Sequence, residues 1–414
     1  MKQILFLLFL LISCELTHRG YAQRNKVYSD NIKTLKVVAG DNWLAMPVIR
    51  LNDNIPIHIS FDDLTHEYQR YAYKIEHCDA DWKVSEGLFA SDYIEGFEHG
   101  NLLEDFTQSF NTNTLYTHYH LEIPNERCRI KMSGNYRVTI YDENNSQEIA
   151  QCHFMVYEPL MGVSLSITSN TDKEINGRLQ QVDMTLNYGA ERVTDPTSQL
   201  QIRILQNGRW HSMVNNPKPQ IIMNNGLQWT HNSHLIFAAG NEYHKFETLD
   251  VNHATIGIEH MIWDGSMYQA HLWLNEPRYN YIYDEDANGA FYIRNGNDME
   301  NDRMSDYVNV HFSLKCPKVT GEIYLNGTWT NDRLDEQYRM VYDEQKGLYQ
   351  GQILLKQGYY SYQYVLQQPN GIVTYLPSES SFYQTENTYQ AFVYYRKPGE
   401  RTDRLVAYQE YLNR

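Results

Sequence analysis

Asp284-Glu-Asp286-Ala-Asn288-Gly289 matches the opening of a calcium loop, with oxygen donors at alternate positions and a glycine for the sharp bend. Such a loop closes on a bidentate acid at its twelfth position. Here that residue is Asn295, and no helical pattern flanks the segment. The expectation is a metal-free hairpin turn between Tyr279–Tyr283 and Ala290–Arg294. His118 and His120 fall on one face of a strand, a spacing that can make a metal pair. Asp79 and Asp81, beside His77, can add carboxylates or act as an acid–base pair. With 16 histidines in the chain such pairs also arise by chance, so turn and cap hydrogen bonding before Trp82 is the expected role. No G-x-S-x-G, H-E-x-x-H, P-loop, G-x-G-x-x-G or C-x-x-C occurs. No catalytic residue, cofactor site or metal site is therefore assigned.

The segments that would carry these residues are strands. Ile55–Phe61, Tyr71–Ile75, Tyr136–Tyr141 and Cys152–Tyr157 alternate apolar and polar side chains, the period of a half-buried strand. So do Val182–Leu186, Gln201–Leu205, His271–Leu274, Tyr307–Phe312 and Tyr360–Tyr364. Seven Asn-Gly pairs punctuate the chain, at 176–177, 207–208, 225–226, 288–289, 295–296, 326–327 and 370–371. Asn-Gly between alternating runs signals a hairpin, because a type I′ turn needs φ > 0 at both central residues. Regular helical periodicity is missing. Residues 86–113 are different: acidic, interrupted by glycine, with Phe89, Phe97, Phe106 and Phe110 irregularly spaced. They predict a long exposed loop with a helical turn. Pro159 marks a boundary. The expected fold is all-β, a tandem of immunoglobulin-like or early-set β-sandwich domains. The expected divisions are a signal peptide at 1–22, sandwiches at 25–158, 161–304 and 305–396, and a tail at 397–414.

The 414 residues suffice for two or three domains of roughly 100–200 residues each. Lys plus Arg is 35 and Asp plus Glu is 51, so the formal charge is 35 − 51 = −16. That argues against nucleic acid as a partner, since binding it needs a basic footprint. Tyr is over-used, at 34 residues against 14 Phe and 7 Trp. Its amphipathic ring suits strand faces that are half wet. Lys2 followed by the apolar run Ile4–Ile12 reads as an export leader, because nine residues fall short of the about 20 that span a bilayer. Two processing sites compete. Cleavage after Ala22 follows the small residues Gly20 and Ala22, and Leu11-Ile-Ser-Cys14 offers lipidation at Cys14; cleavage after Ala22 is the expectation. The remaining cysteines, Cys78, Cys128, Cys152 and Cys316, allow three full pairings, and buried thiols are expected.

Tyr324–Thr330 with Gly358–Val365 resembles early-set immunoglobulin-like modules found beside glycan enzymes. In those an aromatic can stack on sugar; here Trp329 and the tyrosines are expected in the core. A longer series of blocks resembles one family. It comprises His77-Cys-Asp-Ala-Asp-Trp82, Asp92–Phe97, Ser109–Thr112, Tyr116-Thr-His-Tyr119, Ile123–Asn125 and Ser133-Gly-Asn-Tyr136. It continues with Phe291–Asn295, Lys356-Gln-Gly-Tyr-Tyr360, Ser381–Asn387, Tyr394–Arg396 and Gly399–Leu405. These resemble the type IX secretion system plug proteins of Bacteroidetes, from about residue 30 to about 408. The resemblance implies a non-enzymatic stopper in the periplasm, peripheral to the outer membrane. Its implied partner is the outer-membrane β-barrel translocon, with no small-molecule substrate and no cofactor. No residue contacts transfer with it. Residues 86–113 and the chain after Tyr395 are the expected recognition segments. A carbohydrate-binding surface module or lipoprotein is the alternative.

Overall fold

The computed structural model describes residues 24–413; the leader and Cys14 lie outside the described residues. The first sandwich pairs two antiparallel sheets. One runs Lys26–Val27, Glu148–Tyr157, Gly134–Asp142, Tyr71–Cys78, Asn101–Leu102, with Val48–Arg50 added in parallel on Glu148–Tyr157. The other runs Ile32–Ala39, Ile57–Asp63, Thr117–Ile123, Asp105–Gln108. The two-residue period decides what faces inward. Ile57, Ile59 and Phe61 enter the core with Tyr119, Leu121 and Ile123, while His58, Ser60, His118 and His120 line the opposite face.

In the second sandwich, Gly162–Thr168, Leu179–Asn187, Gly226–Trp229 and Ile221–Met223 form one sheet. The facing sheet is Val214–Asn215, Leu200–Gln206, Asn387–Tyr395, Arg404–Asn413. Strands from the middle and from the C-terminal end of the chain thus close one core, in which Val182 and Trp229 pack with Tyr389, Val393 and Val406. This overturns the boundary at 304 and the tail at 397–414. The third core draws on Phe246 and Ile258 as well as Val308–Leu314 and Tyr360–Tyr364, so it starts near residue 240 and ends before 387. It is inserted between two strands of the second. Its ten-stranded sheet curls on itself, so that Phe246, near one end of the strand order, meets Phe312 near the other at 5.7 Å. The helices among the described residues are single turns.

Buried polar contacts fuse the three bodies. Lys356 Nζ of the third sandwich reaches Asp62 Oδ2 of the first at 2.7 Å, and the Tyr307 hydroxyl donates to the same oxygen at 2.7 Å. Asp332 of the third sandwich accepts from His211 Nδ1 of the second at 2.9 Å and lies 3.3 Å from Arg24 Nε of the first. Between the first and second, an apolar seam joins Trp82 and Met155 to Leu205, Phe392, Tyr394 and Leu405.

Candidate functional site

The expected hairpin at Asp284–Gly289 does not form. Asn288 and Gly289 take the left-handed turn, with φ of +49° and +89°, but 279–283 is irregular. Phe291–Ile293 pairs instead with the strand Gly358–Gln367. The carboxylates explain the departure. Asp286 accepts the Tyr243 amide and, at 2.6 Å, the Asn288 amide, while Lys245 holds Asp284 at 2.6 Å. Burial pushes the Asp286 carboxyl up to about 7. These oxygens are committed to the fold and do not converge on a cation. Calcium should therefore leave the melting temperature of the protein unchanged. A calcium-dependent rise that Asp286→Ala removes would show the loop to be a real site.

His118 and His120 share a face but not a partner. His118 Nδ1 lies 2.7 Å from Asp62 Oδ1 in the junction with the third sandwich. His120 Nδ1 instead meets Asp105 at 2.9 Å, and its Nε2 meets His58 Nδ1 at 2.9 Å. Sequence inspection missed His58, which lies 62 residues away and joins His120 only through strand register.

His77, Asp79 and Asp81 also separate. Asp81 pairs with Lys83 in solvent. His77 is buried beside Ser85, whose hydroxyl lies 2.8 Å from Nδ1, while Nε2 faces the Ser133 carbonyl at 3.1 Å. Burial lowers the His77 imidazole to about 4. Asp79 accepts from Thr402 at 2.6 Å and pairs with Arg396 at 3.1 Å. A serine, a histidine and an aspartate thus meet, but in a sealed junction. The aspartate faces the hydroxyls and does not orient the imidazole, so this is structural bonding.

Trp329 is buried, and its Nε1 donates to the Ser361 carbonyl at 3.0 Å. Tyr360, Tyr362 and Tyr364 are buried with it, so none of these rings is presented to a sugar. Cys78, Cys128, Cys152 and Cys316 are free and buried. Burial raises the Cys78 and Cys128 thiols to about 12, which makes them poor nucleophiles. A cleft of about 660 Å³ between the second and third sandwiches is lined by Arg209, His211 and Tyr375 among others. Those groups are engaged: Arg209 stacks on Tyr375 at 4.7 Å and His211 is held by Asp332.

The blocks that carried the resemblance converge on the junctions. Tyr394 donates to Asn135 at 2.8 Å, and the Ala80 amide donates to Asp403 at 3.1 Å. Gly134, at φ +148°, leaves room for the imidazole; a Cβ there would stand 2.1 Å from His77 Nε2. Tyr116 donates to the Ser305 carbonyl, and the Lys356 ammonium lies 4.1 Å over the Tyr116 ring. Ser381 and Thr385 bind the second sandwich through the Gly240 amide at 2.8 Å and Gln180 at 2.9 Å. The signature is the fastening of three domains.

What is left for recognition is surface. The 86–113 stretch is not a free loop, because Tyr93, Ile94 and Leu103 are buried and Asn101–Leu102 and Asp105–Gln108 join sheets. Within it, Phe89 and Phe97 are 73% and 71% exposed. The chain after Tyr395 is likewise no tail: Leu405, Val406 and Ala407 are core, while residues 397–401 and its last residues surface. Sequence inspection also missed the edge strand Ile258–Trp263, which ends the ten-stranded sheet and exposes Ile262 and Trp263. Asp264-Gly265 was the available hairpin signal there. These exposed rings are the candidates for an interaction surface.

Among the described residues no helix is long and apolar enough to cross a membrane. Residues 32–158 match the type 9 secretion system plug protein 1st domain. No curated protein matches the chain. The crystal structure of a hypothetical protein from Parabacteroides merdae ATCC 43184 is 36% identical, with 94% of this chain and 99% of that one covered and a TM-score of 0.91. C-terminal domains of antigen I/II-family proteins from Streptococcus agalactiae and Streptococcus pyogenes reach 8% identity, covering 93% and 92% of this chain and 96% and 99% of theirs. Their TM-scores of 0.16 and 0.18 carry no structural likeness. With its first sandwich matched directly and 94% of its length shared with the Parabacteroides protein, the chain belongs to the type 9 secretion system plug protein family.

Proposed function

We propose that this protein is a non-enzymatic plug that binds the periplasmic mouth of the type IX outer-membrane β-barrel translocon and seals its pore. The observation that carries the reading is the fusion of three sandwiches through buried contacts into one body, in a chain whose first domain is the plug domain. A stopper must hold its shape against a wide opening, and polar junctions sealed from water suit that task. The candidate bases His77 and Asp79 are engaged in internal bonding, which supports a binding role over catalysis.

The test is leakage. Cells lacking the protein should admit a bulky hydrophilic antibiotic, most clearly when export substrates are scarce, and deleting the translocon as well should abolish the difference. Unchanged permeability in the first strain overturns the reading. Contact residues are testable separately. Phe89→Ser with Phe97→Ser should lower association with the solubilised translocon about thirty-fold or more, because an aromatic anchor buried at an interface contributes about 2 kcal/mol or more. The same substitutions should shift folding stability by less than about 0.5 kcal/mol each, as expected of exposed positions. Deleting 86–113 is the wrong experiment, because it removes Tyr93, Ile94 and Leu103 from the core.

A further inference from the structure

The outer face of the first sandwich carries a group of side chains that the plug reading does not use. His58 Nδ1 and His120 Nε2 face each other at 2.9 Å, and Glu122 Oε1 lies 3.6 Å from His58 Nδ1. One ligand atom from each of the three residues falls within 4.8 Å of the other two. Register makes the group. His58 stands directly opposite Glu122 on neighbouring antiparallel strands, and His120 lies two residues before Glu122 on the same face. The next strand brings Asp105 directly opposite His120.

We propose that His58, His120 and Glu122 form a binding site for a divalent transition-metal ion of the zinc class. Two imidazole nitrogens and one carboxylate oxygen are the donors such an ion prefers. The Asp105 carboxylate fixes one of the two rings for the task. Asp105 Oδ2 lies 2.9 Å from His120 Nδ1, so that nitrogen carries the hydrogen and Nε2 keeps its lone pair. In the metal-free protein His58 Nδ1 then donates to His120 Nε2, and binding an ion shifts that hydrogen to the solvent-facing Nε2 of the same ring. A carboxylate behind a ligating imidazole, as Asp105 is behind His120, is the usual support for a bound metal. Zinc–nitrogen bonds of about 2.0–2.1 Å in a tetrahedron place two nitrogens about 3.3 Å apart, so small ring rotations suffice. Three protein ligands leave one position for water or for a donor from a partner. The side chains of His58 and His120 are 18% and 27% exposed and that of Glu122 is 52% exposed, so an ion can enter from solvent.

The test is a zinc titration of the full exported chain after chelator stripping, followed by calorimetry and thermal melting. One zinc per chain and a raised melting temperature are expected. His58→Gln and His120→Gln should each abolish saturable binding, and Asp105→Asn should weaken it about 10–100-fold. These side chains lie outside the core, and Glu122→Gln, at the most exposed of the three ligands, supplies an independent variant. Cobalt(II) in place of zinc should give the visible bands of a tetrahedral site. His231→Gln, at an exposed histidine paired with Asp172, should change nothing. Absence of saturable binding overturns the proposal. So does binding that survives His58→Gln and His120→Gln but is lost in His271→Gln. That outcome would place the metal on the stacked rings of His260, His271 and His311, whose centroids are 4.5 and 4.2 Å apart.

Discussion

Replacing Lys356 by methionine is expected to destabilise the protein by about 3–5 kcal/mol, the cost of leaving one member of a buried ion pair without its partner. Lys356 and Asp62 have side-chain exposures of 1% and 0%, so water cannot take over when the ammonium is gone. Burial alone pushes the Asp62 carboxyl up. The Lys356 charge and the His118 hydrogen bond outweigh it, and the group is held below the usual carboxylate range. After Lys356→Met, the carboxylate keeps Tyr307 and His118 but loses its counter-charge. The loss should show as a lower urea midpoint. Combining Lys356→Met with Asp62→Asn should cost less than the sum of the single changes, because no unpaired charge is then buried. Additive effects would mean that the two side chains do not form the junction described here.

Acid should loosen the same body. Burial lowers the His77 imidazole to about 4 and the His153 imidazole to about 3, while both would titrate near 6.5 in the unfolded chain. The sign follows directly. Below pH 6.5 the unfolded chain takes up two protons that the folded chain refuses, so stability is complete above that pH and falls as the pH drops toward 4. Each histidine contributes about 1.4 kcal/mol per pH unit, so the pair should remove roughly 2.7 kcal/mol per unit between about pH 6 and 4. The Asp62 carboxyl, also depressed, adds its loss only further down, as the pH falls through its own lowered folded value. Urea midpoints at pH 7, 5.5 and 4.5 measure this. His77 and His153 both border the seam between the first and second sandwiches, where Thr402 lies 3.4 Å from His77 and Trp82 packs edge-on to His153 at 5.1 Å. A midpoint that does not move between pH 7 and 5 would show that these rings are not buried as neutral imidazoles.

The sequence by itself determined the all-β class and the strands that alternate regularly. Ile57, Ile59 and Phe61 alternate with His58 and Ser60 because the pleat of an extended backbone has a period of two, and that period is local. The surface character of Phe89 and Phe97 was legible for a related reason: their spacing fits neither helix nor strand, so no regular face could bury them. Partner choice is not local. Asn387–Tyr395 is the same tyrosine-rich, strand-prone run whether it ends the third sandwich or crosses back to Leu200–Gln206. Its place was decided by the open apolar face that Val182, Leu186 and Trp229 present. Asp62 and Lys356 look like ordinary surface charges until docking removes their water. His58 and His120 became neighbours only when antiparallel register brought two strands together. Hydrophobic period is a property of each segment. Pairing, docking and the meeting of distant polar groups depend on which faces remain unburied, and only the tertiary structure decides that.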